Sequence, residues 1–204
     1  MTDPQKDTGP IGGQMASVVN GLIERLRIPY LVSRHSSIAV MGVFALVNGV
    51  VSIGSMAVTA WATASPFVFP SLGPTAFLFF YTPTAASAAP RNTVLGHLIG
   101  AVAGYLSLVV FGLTQAAPAL STAVTLPRVG AAALSLGLTS GLMVWMRVPH
   151  PPAGATTLIV SLGMLRTIPQ LGVLMVAVIL LTVQGFIINR AAGIDYPVWA
   201  PVQQ

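Results

Sequence analysis

A chain of 204 residues with 54% hydrophobic and only 6% charged residues cannot be a water-soluble domain, in which about a quarter of residues are charged; its solvent is lipid. The only carboxylates are Asp3, Asp7, Glu24 and Asp195, which excludes carboxylate proton relays, carboxylate-held metal cations and two-carboxylate acid–base chemistry from everything between Arg25 and Ile194. The net charge of +5 comes from basic residues scattered singly at segment ends, a pattern of topology control and not of nucleic-acid binding, and the absence of cysteine rules out disulfides and thiolate sites.

Residues 1–14 read as a polar, disordered tail, without the basic and apolar regions of a signal peptide. Residues 15–34 read as an amphipathic interfacial helix. Met15, Val18, Val19, Leu22, Ile23 and Leu26 share one face; Ser17, Asn20, Glu24, Arg25 and Arg27 occupy the other; Pro29 ends the pattern. This helix lies in the headgroup layer or packs on the protein's own cytoplasmic face. A transmembrane domain over 35–190 follows. No Asp, Glu, Lys, Arg or His occurs over 36–90, 98–127, 129–146 or 167–189, and a bilayer core needs about 20 apolar residues per helical crossing.

Six segments fill that domain, at about 37–61, 66–81, 92–113, 129–146, 149–165 and 169–188. The second contains Pro70-Ser71-Leu72-Gly73-Pro74-Thr75-Ala76, and the fifth Pro151-Pro152-Ala153-Gly154-Ala155-Thr156-Thr157. Gly73 and Gly154 stand 81 residues apart. Proline removes a donor and glycine weakens a helix, and in lipid such backbone survives only when buried in protein or lining a cavity. Each break therefore predicts an extended stretch followed by a half-helix, with Pro74-Thr75 and Ala155-Thr156 in the first turns. Two topologies compete. With six crossings, Lys6, Arg25, Arg27, Arg34, Arg91, Arg147 and Arg190 share one side against Arg128 and Arg166. With re-entrant broken segments there are four crossings and a weaker bias. The positive-inside rule favours six, with both termini cytoplasmic. The expected fold is an all-α integral membrane protein: a helical bundle of two three-segment repeats, about 36–113 and 128–190, inverted relative to each other. A tail over 191–204 follows, with Tyr196 and Trp199 as interface anchors.

Paired interrupted segments in two halves point to a solute site. A helix N-terminus offers unpaired backbone donors and partial positive charge, and so binds anions. Gly73, Pro74 and Thr75 in one half, with Gly154, Ala155, Thr156 and Thr157 in the other, are the candidate substrate-binding residues, near the bilayer middle. The alternative for these small residues is close helix packing. His150, before the second break, is a donor or proton carrier, or a loop histidine with a structural hydrogen bond; the repeat offset places Phe69 at its counterpart. His97, six residues after Arg91, reads as an interfacial histidine satisfying a loop carbonyl, with a functional role as the alternative. Arg91, Asn92 and His97 are candidate gate or vestibule residues, and Arg91 and Arg166 are equally topology anchors. Asn48 and Gln184 should hydrogen-bond between helices, and Gly100 and Gly104 read as a close helix contact. His35, His97 and His150 show no metal-ligand spacing, and Ser71 and His150 lack a GxSxG elbow. No cofactor, metal or enzymatic activity is expected.

The segment Val148-Pro149-His150-Pro151-Pro152-Ala153-Gly154-Ala155-Thr156 resembles the signature of the HPP family of small integral membrane proteins. Ala89-Pro90-Arg91-Asn92 followed by Gly96-His97-Leu98, and the stretch from Phe69 to Ala76, are similar to the same family. The likeness covers roughly 36–190. It implies four spans as usually described and, from members in cyanobacteria and chloroplasts, nitrite transport. The four spans agree with six segments if hydropathy windows overlook the broken ones. The expected function is a bacterial inner-membrane transporter or channel for a small monovalent anion, nitrite favoured, bound between the half-helix ends. The other reading is a non-transporting membrane protein that binds a ligand or scaffolds a partner. Lipid and the anion are the expected partners, and a homodimer is expected only from the prevalence of dimers.

Overall fold

The computed structural model describes residue 24 and residues 26–201. The expected tail over 1–14, half of the amphipathic helix over 15–34 (residues 15–23 and 25), and residues 202–204 lie outside the described residues. The described end of that helix corrects the expectation. Arg27 is extended (ψ 137°), and a helix begins at Ile28 with Pro29 in its first turn. Proline at that place costs nothing, because its missing N–H would be unpaired anyway; Glu24 and Leu26 are helical, so one helix does end ahead of Pro29, but a second opens there and 15–34 is not a single helix.

Among the described residues there are eight α-helices, one 3-10 turn and no strand. They are α1 (Ile28–Arg34), α2 (Ser37–Thr63), α3 (Leu72–Tyr81), the 3-10 turn Ala86–Ala88, α4 (Pro90–Val110), α5 (Ala119–Thr122), α6 (Leu126–Trp145), α7 (Pro152–Ser161) and α8 (Ile168–Ala191). α2, α4, α6 and α8 are long and apolar enough to cross a bilayer, and the protein is a multi-pass membrane protein. α3 and α7 have ten residues each, about 15 Å of helix, or half a hydrocarbon core.

Hydrogen bonds gather the helix ends into two faces. On one, the tail face, Ile28 N donates to Ala192 O and Arg91 N to Trp199 O, while the Asn189 side chain donates to Phe79 O. On the other, the loop face, Ala119 N donates to Leu162 O and the Arg128 guanidinium to Ser161 O and Ala117 O. The C-terminal end of α3 is thus at the tail face and that of α7 at the loop face, so the half-helices run in opposite directions.

α2 is tied to the rest by few groups. Only Ser52 and Met56 are buried, Phe44 meets Phe80 edge-on at 5.9 Å, and Gln184 donates to Ser55 Oγ at 3.0 Å. Asn48 instead bonds its own helix at Phe44 O. The most extensive helix contact is α4 against α7. It is made through Gly96, Gly100 and Gly104, where an added Cβ would lie 2.7 Å from His150 Cβ, 2.6 Å from Ala153 O and 2.7 Å from Val160 Cβ. α3 seats Phe79 over Gly185 of α8 in the same way, with 2.5 Å to a Cβ built there.

Tyr196 is corrected from interface anchor to core residue. It is fully buried, its ring meets Phe79 edge-on at 6.1 Å, and its hydroxyl donates to Ala88 O. Burial pushes its phenol above the ordinary range. Trp199 stays half-exposed. Tyr196→Phe leaves the buried Ala88 carbonyl without this donor, so a loss of about 1 kcal/mol is expected. A drop of a few degrees in the thermal unfolding of detergent-solubilised protein would register it, and an unshifted transition would deny the bond any weight.

Candidate functional site

Local sequence brings His150 inward. Pro149 and Pro151 fix the backbone on both sides, Ala153 N donates to His150 O, and α7 starts at once. The His150 imidazole is fully buried, over Gly96 of α4, where no other residue leaves room. Its Nδ1 lies 2.7 Å from Ser87 O, and a carbonyl only accepts, so Nδ1 carries the hydrogen. Asn92 presents that carbonyl: its Nδ2 donates to Ala86 O at 2.8 Å and holds the 3-10 turn over α4. Thr93 Oγ1 stands 3.5 Å from the same ring nitrogen.

His97 comes from α4, also fully buried. Its Nε2 is 3.2 Å from His150 Nε2 and 2.9 Å from Thr75 Oγ1 of α3. Its Nδ1 is 2.7 Å from Thr156 Oγ1 of α7. Thr75 Oγ1 reaches His150 Nε2 as well, at 3.2 Å, and donates to Ser71 O at 3.1 Å when turned to its own helix. The two half-helices therefore meet, near their N-terminal ends, at two histidines and two threonines. Sequence read His97 as the histidine that satisfies a loop carbonyl; in the structure that partner belongs to His150. His97 lies seven residues into α4, about 10 Å from its start, so the junction sits nearer the tail face than the middle.

The expected backbone cradle keeps only part of its donors. α3 and α7 begin at Leu72 and Pro152, which puts Pro74-Thr75 in the first turn of α3 and Ala155-Thr156 at the end of the first turn of α7. Pro74, Pro151 and Pro152 have no N–H, Leu72 N is spent on Phe69 O, Ala153 N on His150 O and Gly154 N on Pro151 O. These prolines reduce the backbone donors at the helix ends, and the hydrogen bonds observed at the junction are made by side chains. Gly73 and Pro74 lie on the outer, exposed side of α3, Gly154 and Ala155 are half-buried, and Thr157 is buried with its hydroxyl unpartnered. Ser71 Oγ and Asn92 Oδ1 are likewise buried without a partner.

A cavity of about 630 Å³ lies beside the junction between α6 and the start of α7, with Leu136, Ser140, Met143, Arg147, His150 and Gly154 among its walls. Arg147, at φ 53°, supplies its cation. Arg91 N bonds the C-terminal tail, and Arg166 donates to Ala116 O at 2.7 Å, so Arg166 is a loop tie and not part of that vestibule. Among the described residues no three or more His, Cys, Asp or Glu gather. Ser87 and Thr93 escaped the sequence reading, and Gly96 entered it only through the family resemblance. Its packing role also left a signal, since Gly96 continues the four-residue spacing of Gly100 and Gly104.

Residues 32–197 match the family described as "HPP, transmembrane region". Two transmembrane proteins of Dictyostelium discoideum are similar over 93 residues, at 33% and 34% identity, a stretch covering 46% of this chain and 29% and 27% of theirs. The chain thus spans less than a third of the length of these curated relatives. No solved structure matches it.

Proposed function

The chain belongs to the HPP transmembrane family, and on that premise we propose that it is a transporter or channel for a small monovalent anion, with nitrite the favoured solute. The observation that carries the reading is the junction of Thr75, His97, His150 and Thr156, built where the two half-helices meet. Ionisable groups inside a membrane body are expensive and mark solute paths. Here they are donors, and no carboxylate stands between residues 25 and 194 to repel a negative guest. The cavity flanked by Arg147 leads toward His150 from one side. Its floor is closed in this conformation, since His150 is fully buried, as an occluded state of an inverted-repeat carrier requires. Arg27, Arg34, Arg91, Arg147 and Arg190 stand toward the tail face against Arg128 and Arg166 toward the loop face, which favours a cytoplasmic tail face in a bacterial inner membrane.

Flux of nitrite, nitrate, formate and chloride into proteoliposomes tests this. A hydrogen bond to a charged group contributes about 1.5–3 kcal/mol, so His150→Ala should slow nitrite uptake by about ten- to a hundredfold. Undiminished flux in that variant would remove the junction from the path. The second reading, a membrane ligand-binding or scaffold protein, draws on the sparse burial of α2. It predicts anion or partner binding with no flux in the wild type.

A further inference from the structure

We infer that His97 and His150 together take up one proton and no second, and that the anion moves with that proton one for one. The inference rests on the anion-carrier reading and adds its coupling ion.

The count follows from hydrogen placement. Ser87 O holds the hydrogen of His150 on Nδ1, so in the neutral ring Nε2 is bare. His97 Nε2 faces it at 3.2 Å. Two bare nitrogens at that distance would repel, so His97 carries its hydrogen on Nε2, and its Nδ1 accepts from the Thr156 hydroxyl. Thr75 closes the triangle, within reach of both Nε2 atoms. The neutral centre is then satisfied, with one proton between the two rings.

An added proton has one place to go. It binds His97 Nδ1, and the Thr156 hydroxyl rotates from donor to acceptor. The shared proton can then pass across: the N–H bond at His97 Nε2 breaks and one forms at His150 Nε2. His97 is left neutral with its hydrogen on Nδ1, and His150 becomes imidazolium. A second proton would set two N–H groups head to head at 3.2 Å, in rings 4.8 Å apart.

Among the described residues no neighbouring group relieves that charge. α3 carries only Tyr81, at its far end. α4 carries Arg91 and Tyr105, six residues before and eight after His97. The turn before α7 carries Arg147, α6 carries Arg128 at the loop face, and α8 carries Arg190. α2 has no titratable residue. Asp195 is exposed and paired with Arg190 at 2.9 Å. The counter-ion must therefore be the solute, and proton and anion must bind each other's loaded form more tightly, by reciprocity. The empty and doubly loaded centres are both neutral, the condition for either to move through hydrocarbon cheaply.

The test uses the full chain in proteoliposomes with voltage clamped by potassium and valinomycin. Nitrite and nitrate are the probes, and rates are taken above protein-free vesicles; nitrate, the anion of a strong acid, keeps diffusion of free acid out of the result. One pH unit, alkaline inside, should accumulate the anion about tenfold, and voltage of either sign should leave the rate unchanged. Flux that follows voltage and ignores pH overturns the coupling and leaves the carrier reading standing; absence of any protein-dependent flux overturns both. Calorimetry of nitrite binding to solubilised protein, in two buffers of different ionisation heat, should show one proton taken up per anion, and none in His97→Gln. Zero or two protons in the wild type overturns the inference.

Discussion

Gly100→Leu is expected to lower the thermal unfolding of solubilised protein by about 10 °C, or to prevent folded material from accumulating. A Cβ at residue 100 would lie 2.6 Å from Ala153 O and 3.4 Å from Thr157 N. These are backbone atoms of α7, which cannot rotate aside as a side chain can. The α4–α7 contact must open, and it carries His150 over Gly96 and Thr156 against His97. Overpacking costs about 1–3 kcal/mol for inserted methylenes, a large share of a typical stability of about 5–15 kcal/mol, and 1 kcal/mol shifts a chain of this size by about 2–4 °C. Gly49→Leu is the control, since a Cβ there meets nothing. Equal transitions for the two variants would mean that α4 and α7 do not approach as closely as described.

Arg128→Met should cost about 3 kcal/mol, nearly as much, for a different reason. Arg128 is 2% exposed and, among the described residues, has no acidic partner. It donates to Ser161 O at 3.0 Å, Ala117 O at 2.8 Å and Ala116 O at 3.3 Å. These carbonyls belong to the end of α7 and the loop before α5, where the helix dipole is negative. Methionine fills much of the space and leaves all three acceptors without this donor. Gly163, at φ 84°, lies so close that a Cβ would stand 2.6 Å from Nη2, so the same socket admits no bulkier neighbour. Arg128→Lys should recover only part of the loss, because one ammonium cannot match the planar fork. Thermal unfolding of the three proteins in one detergent measures this. A methionine variant as stable as the wild type would reduce Arg128 to the topology anchor that its sequence context suggested.

Arg128 also shows where sequence reading stops. An isolated arginine at a segment start has the same local signature whether it reaches lipid headgroups or three buried carbonyls. His97 departs from an interfacial position for a similar cause: its distance from Arg91 is a local fact, whereas its burial depends on which side of α4 meets α7. The broken segments were legible in kind, with half-helices starting within two residues of Gly73 and Gly154, though their prolines leave fewer backbone donors than a helix N-terminus normally has.

Sequence alone determined the lipid environment, the long crossing helices, the two half-helices and the absence of acids from the membrane body. Each of these acts through composition or through the backbone of neighbouring residues, as when a proline withholds its N–H wherever it stands. Tertiary structure decided which side chains meet. Thr75, His97, His150 and Thr156 come from α3, α4, the turn before α7 and α7 itself, and His97 and Thr156 are 59 residues apart. Their meeting depends on the rotational setting of α4, fixed by the glycines that let α7 approach, and on the infolding of the 3-10 turn that gives His150 its carbonyl. Both are contacts between distant stretches of chain, whose geometry no local pattern encodes.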